Sequence, residues 1–130
     1  MKKILFVEDD LFIQEIYIRV FTQAGYALEL AKDGEEALEK AKSDTYDAIL
    51  LDIMLPKVNG INVLSMMRMP GAPTENTPIF LITNLGQESV IEEAFRIGAD
   101  GYFIKAQMNP KNIIIEIEKF LAKDKAVSST

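Results

Sequence analysis

Ile4-Leu5-Phe6-Val7-Glu8-Asp9-Asp10 is the stretch on which the fold turns. Four consecutive apolar residues leave no polar face. A strand made of them must be covered on both sides, as in a parallel sheet flanked by helices. Three acids follow at once. Three more runs share the pattern: Ala48-Ile49-Leu50-Leu51 leads into Asp52, Ile79-Phe80-Leu81-Ile82 into Thr83, and Tyr102-Phe103-Ile104 into Lys105. Ala27 to Ala31 instead alternates, with Glu29 between Leu28 and Leu30, as expected of a half-exposed edge strand.

Between the runs the apolar period becomes helical. Phe12, Ile13, Ile16, Tyr17, Val20 and Phe21 form one stripe, closed by Gly25. Ala37, Leu38 and Ala41 form a second, with Glu35 and Glu36 early and Lys40 and Lys42 late, as the helix dipole favours. Ile61, Leu64 and Met67 mark a third helix ending near Pro70-Gly71. Val90, Ile91, Ala94 and Ile97 mark a fourth, stopped by Gly98. A fifth carries Ile113, Ile114, Ile117, Phe120 and Leu121 and opens with Pro110 in its first turn. Five alternating strand–helix pairs predict an α/β, doubly wound fold with right-handed crossovers and helices on both faces. A strand order of 2-1-3-4-5 agrees with the second strand lying at an edge. Residues 1–123 read as one domain and 124–130 as a frayed tail or linker.

The 130 residues suit a single domain, and 48% apolar with 26% charged residues is ordinary for a globular one. Twenty acids against 14 bases give a net charge of −6, which argues against direct nucleic-acid binding. The sequence has no cysteine and no histidine. Disulfides, zinc–thiolate sites, Ser-His-Asp triads and histidine bases are therefore excluded. No apolar stretch reaches the length of a membrane span, so a cytoplasmic location is expected.

In open parallel sheets, sites form beyond the carboxyl ends of the strands. Glu8, Asp9, Asp52, Thr83 and Lys105 all fall there. Asp10 reads only as the N-cap of the first helix. Glu8 and Asp9 from one strand end would converge with Asp52 from another. Crowded carboxylates need a cation or a proton, and magnesium suits a small carboxylate set with retained water.

Taken together, these motifs resemble the receiver domain of bacterial two-component response regulators, which has the chemotaxis-type, flavodoxin-like (βα)5 fold. The resemblance rests on residues 4–10, on Leu51-Asp52-Ile53-Met54-Leu55-Pro56-Lys57-Val58-Asn59-Gly60, on Ile82-Thr83, and on Gly98-Ala99-Asp100-Gly101-Tyr102-Phe103-Ile104-Lys105. It implies that Asp52 accepts a phosphoryl group from a histidine kinase, a phosphotransfer protein or a small donor such as acetyl phosphate. It implies that Asp9 binds Mg2+ directly and Glu8 through water, with the Met54 backbone carbonyl completing the protein ligands and Mn2+ an admissible substitute. Lys105 would pair with Asp52 and then with a phosphoryl oxygen. Thr83 would bind the phosphoryl group, and Tyr102 would turn inward as Thr83 moves. The domain would catalyse only its own phosphorylation and dephosphorylation. The fourth helix, fifth strand and fifth helix would form the face for a homodimer or an effector.

Two positions depart from the family pattern. Ala106 replaces the usual proline after the lysine, so a trans Lys105–Ala106 peptide is expected. Asn84 replaces a small residue after Thr83. The resemblance implies that the side chains two residues after Asp52 and two after Thr83 flank the approach to Asp52; here they are the apolar Met54 and Leu85, which predict slow hydrolysis of a phosphorylated form. A haloacid-dehalogenase-type phosphatase would need an acid where Met54 stands. An FMN module would need a phosphate loop where Glu8-Asp9-Asp10 stands. The remaining alternative is a receiver-like interaction domain that is not phosphorylated.

Overall fold

A computed structural model describes residues 2–55, 59–84 and 88–128, the side chains of 124–128 excepted. Pro56 to Val58 of the quoted motif and Leu85 lie outside the described residues. The chain runs β1 (Lys3–Val7), α1 (Leu11–Gln23), β2 (Ala27–Ala31), α2 (Gly34–Ser43), β3 (Ala48–Asp52), α3 (Gly60–Met67), β4 (Ile79–Thr83), α4 (Glu88–Ile97), β5 (Gly101–Ile104) and α5 (Pro110–Ser128). The five strands form one parallel sheet in the order β2-β1-β3-β4-β5. The expected doubly wound architecture is thus present, with β2 at an edge. The helix α5 continues to Ser128, past the tail boundary expected at 123.

Strand side chains alternate between the two faces, and this alternation divides the core in two. Ile4 and Phe6, Ala48 and Leu50, and Phe80 and Ile82 face Tyr17 and Phe21 of α1 and Ile113, Ile114 and Ile117 of α5. Leu5 and Val7, Ile49 and Leu51, and Ile79 and Leu81 face α2, α3 and α4 through Ala37, Ala41, Val63, Leu64, Met67 and Ala94. Covering both faces is why these strands read as continuous apolar runs. Ring stacking reinforces the α1 layer: the Phe6 and Tyr17 centroids lie 4.5 Å apart at 21°.

One residue of the expected α1 stripe is misplaced. Phe12 is 70% exposed, whereas Gln14 is buried with Tyr17 and Phe21. At 3.6 residues per turn Phe12 lies about 180° around the helix from Phe21, while Gln14 lies within about 20° of it. A polar side chain therefore occupies a position that the apolar pattern would have filled.

Arg68, beyond the end of α3, ties the loops at the far end of the sheet. Its side chain is 11% exposed. Nε donates to the Gly98 carbonyl at 2.9 Å, Nη1 to the Thr74 and Glu75 carbonyls at 2.7 and 3.2 Å, and Nη2 to Asp100 Oδ2 at 2.9 Å. Asp100 Oδ2 also accepts from the Ile79 N–H at 2.9 Å, so the network fixes the entry into β4. Gly98 has a φ of +130°, and a Cβ there would lie 3.2 Å from Arg68 Nε, so both conformation and space favour glycine.

Removing this guanidinium takes a donor from three carbonyls and the charged partner from Asp100. Arg68→Met should lower unfolding stability by about 3 kcal/mol. Urea unfolding checks it: a midpoint equal to that of the wild type would show that the network contributes nothing.

Candidate functional site

Strands β1 and β3 are neighbours, yet their following helices lie on opposite faces. The chain therefore opens a crevice beyond their carboxyl ends, where side chains from separate elements meet. Glu8 follows β1 and is 1% exposed. Its N–H donates to the Ala31 carbonyl at 2.9 Å, extending the ladder by one bond. Asp52 is the last residue of β3 and is 4% exposed. Asp9 is exposed at the mouth. One carboxylate oxygen from each of Glu8, Asp9 and Asp52 falls within 4.8 Å of the others.

Lys105 bridges the two buried acids. Its Nζ lies 2.5 Å from Glu8 Oε1 and 3.0 Å from Asp52 Oδ2. The backbone delivers it there, because Lys105 N–H donates to the Thr83 carbonyl at 2.7 Å just past the β4–β5 pairing. Burial pushes the Glu8 carboxyl above its ordinary range, and hydrogen bonds from Lys105 and the Asp10 N–H reverse this only in part. Burial also works against the Lys105 ammonium, but hydrogen bonds to Glu8 and Asp52 outweigh it, and its pKa rises. Lysine therefore holds its proton, and one cation serves two carboxylates.

The remaining geometry is set locally. Asp52 Oδ1 accepts from the Met54 N–H at 3.0 Å, and the Met54 side chain is 70% exposed. Gly60 N–H donates to the Ile53 carbonyl at 2.9 Å. A Cβ at Gly60 would lie 2.5 Å from the Asp52 carbonyl, so α3 can start this close to β3 only from a glycine. Thr83 ends β4, fully buried. Tyr102 lies on β5 away from the crevice, half exposed, with its ring edge-on to Phe95 of α4 at 6.0 Å. Asp10 is the N-cap of α1, as expected, accepting from the Phe12 and Ile13 N–H groups at 2.8 and 3.1 Å. Among the described residues no peptide bond is cis, and Lys105–Ala106 is trans.

The structure thus gathers Glu8, Asp9, Asp52 and Lys105 directly, with Thr83 at the adjacent strand end and Tyr102 one strand position removed. The sequence reasoning missed Gln14, whose Nε2 donates to the Glu8 carbonyl at 2.5 Å. The available signal was a polar residue at an apolar position of the α1 stripe. A cleft of about 300 Å³ beside Lys105, lined by Ile13, Tyr17, Asn84, Ala106 and Met108, extends the site between α1 and the start of α5.

The chain is similar to known proteins along nearly its whole length. Residues 4–118 match the family described as the response regulator receiver domain. The transcriptional regulatory protein ResD of Bacillus subtilis is 32% identical over 121 residues, which is 93% of this chain and 48% of that protein. This chain therefore spans about half the length of the curated relatives it matches. The chemotaxis protein CheY4 of Vibrio cholerae superposes with a TM-score of 0.84 at 30% identity, covering 92% of this chain and 98% of that one. The receiver domain of the sensor histidine kinase PA1611 of Pseudomonas aeruginosa, solved with a magnesium ion coordinated in its active-site cleft, superposes at 0.82 with 25% identity, covering 93% and 98%. The chain belongs to the response-regulator receiver family. Its function is that of the phosphoacceptor signalling domain of a two-component system.

Proposed function

We propose that Asp52 is the phosphoacceptor, and that Glu8, Asp9, Asp52 and the Met54 carbonyl hold a divalent cation beside it. The observation that carries this is the meeting of three carboxylates from two strand ends with the Lys105 ammonium. An all-oxygen donor set of this size fits Mg2+, and Mn2+ shares the preference. When bound, the metal would supply positive charge to the phosphoryl oxygens. An Asp52 carboxylate oxygen forms the new O–P bond as the donor's P–N or P–O bond breaks, and that bond's electron pair leaves with the donor. Lys105 is near enough to move from the Asp52 carboxylate to a phosphoryl oxygen, and the Thr83 hydroxyl stands at the neighbouring strand end to donate to another.

The added charge would then bias Thr83 and turn Tyr102 inward from its half-exposed position. Tyr102 borders a groove of about 340 Å³ with Phe80, Glu116, Lys119 and Phe120, on the α4–β5–α5 face. That face is our choice for a homodimer or an effector. Leu11 and Phe12, 75% and 70% exposed, follow Glu8-Asp9-Asp10 at the start of α1, and Met54, 70% exposed, follows Asp52 by two residues, so exposed apolar side chains adjoin both acidic segments in sequence. Exposed apolar side chains next to the acids suit the docking of a histidine kinase or phosphotransfer protein. Residues 1–123 would act as the receiver unit, with 124–130 as its continuation, in the cytoplasm. Its catalysis would extend only to its own phosphorylation and dephosphorylation.

Two experiments test this. Incubation with acetyl phosphate and Mg2+ should add one phosphoryl group by intact mass, and Asp52→Asn should abolish it. Undiminished labelling of the variant would remove Asp52 from its role. No labelling of the wild type by any donor would favour an unphosphorylated interaction domain. Met54 offers an incoming water only an apolar side chain, so Met54→Asn should shorten the phosphoprotein lifetime several-fold once the donor is removed. An equal lifetime would refute occlusion by Met54.

A further inference from the structure

We infer that Gln14 is a positioning residue that orients the metal-binding turn after β1. This inference rests on the proposed cation site. Gln14 is 8% exposed and lies on the inward stripe of α1. Its Nε2 donates to the Glu8 backbone carbonyl at 2.5 Å, while its own N–H donates to the Asp10 carbonyl at 3.0 Å within the first helical turn. Asp10 N–H in turn donates to Glu8 Oε2 at 3.0 Å. The first turn of α1 therefore grips Glu8 twice, at its carbonyl through Gln14 and at its carboxylate through Asp10.

The consequence follows from peptide planarity. The Glu8 carbonyl and the Asp9 N–H belong to one rigid plane. A donor that holds that carbonyl restrains the rotation of the plane, and so, together with the Asp9 φ, the direction in which the Asp9 side chain leaves the backbone. Without the Gln14 amide the plane can rotate, and Asp9, the exposed member of the acid cluster, loses its aim relative to Glu8 and Asp52. Gln14 touches neither metal nor phosphoryl group on this view. It acts through the Glu8–Asp9 peptide, as outer partners do that orient a metal's direct ligands.

Gln14→Met keeps length and an unbranched shape, suits the apolar stripe beside Tyr17 and Phe21, and removes only the donor. Calorimetric titration with MgCl2 should show its affinity weakened on the order of 10-fold. Gln14→Leu repeats the test with a branched side chain should the methionine variant fail to fold. Phe21→Leu, which loosens the same helix two turns away, controls for general destabilisation and should bind Mg2+ as the wild type does. Wild-type affinity in the folded Gln14 variant would overturn the inference, and so would equal weakening by Phe21→Leu. A wild type that takes up no Mg2+ would fail the cation site itself, and the role of Gln14 would fall with it.

Discussion

One ammonium between two buried carboxylates organises the functional end of this molecule. Lys105 Nζ contacts Glu8 at 2.5 Å and Asp52 at 3.0 Å, and these three side chains are 10%, 2% and 6% exposed. Burying either acid alone would be strongly unfavourable, and burying both without a cation more so. Lys105 reaches them because β5 is registered on β4, which is registered on β3. The ion pair thus joins residues 97 and 53 positions apart in sequence, and it exists only when the whole sheet is assembled in order.

The two ends of the sheet are held by different means. At the carboxyl end, charge compensation leaves polar groups poised and Asp9 open to solvent. At the opposite end, Arg68 donates to carbonyls of two loops and to Asp100. Between them the layers of α1 with α5 and of α2, α3 and α4 supply rigidity. If Asp52 takes up charge as proposed, the hydrogen bonds of Arg68 brace the end of the sheet opposite to it. On the proposed reading the response falls to the elements beside the site, where Tyr102 lies half exposed against Phe95.

Most of the fold was legible because the central strands β1, β3 and β4 are buried on both faces and each ends in or runs into a polar residue. Composition alone then separates Ile4–Val7, Ala48–Leu51 and Ile79–Ile82 from the helices. The acids and Lys105 were legible for the same reason: the topology sends every strand end to one edge. What was not legible depends on angles and on distant partners. Phe12 looked like part of the α1 stripe because it adjoins Ile13, but helical geometry turns it outward to 70% exposure. Gln14 and Arg68 are polar residues that donate to backbone carbonyls, and a carbonyl leaves no mark in a sequence. The continuation of α5 to Ser128 was hidden by the Ser and Thr residues that close the chain.

The central claim is that Lys105 neutralises a carboxylate cluster that a divalent cation can also neutralise. Urea unfolding of Lys105→Met at neutral pH, with and without Mg2+, tests it most directly. The raised pKa of Lys105 means that its contribution is fully present below the unfolded-state lysine value, and so at neutral pH. Without Mg2+ the variant should lose about 3 kcal/mol, because Glu8 and Asp52 are left buried without their cation. Saturating Mg2+ should restore most of that loss. Unchanged stability in the variant, or a loss that Mg2+ leaves untouched, would contradict it.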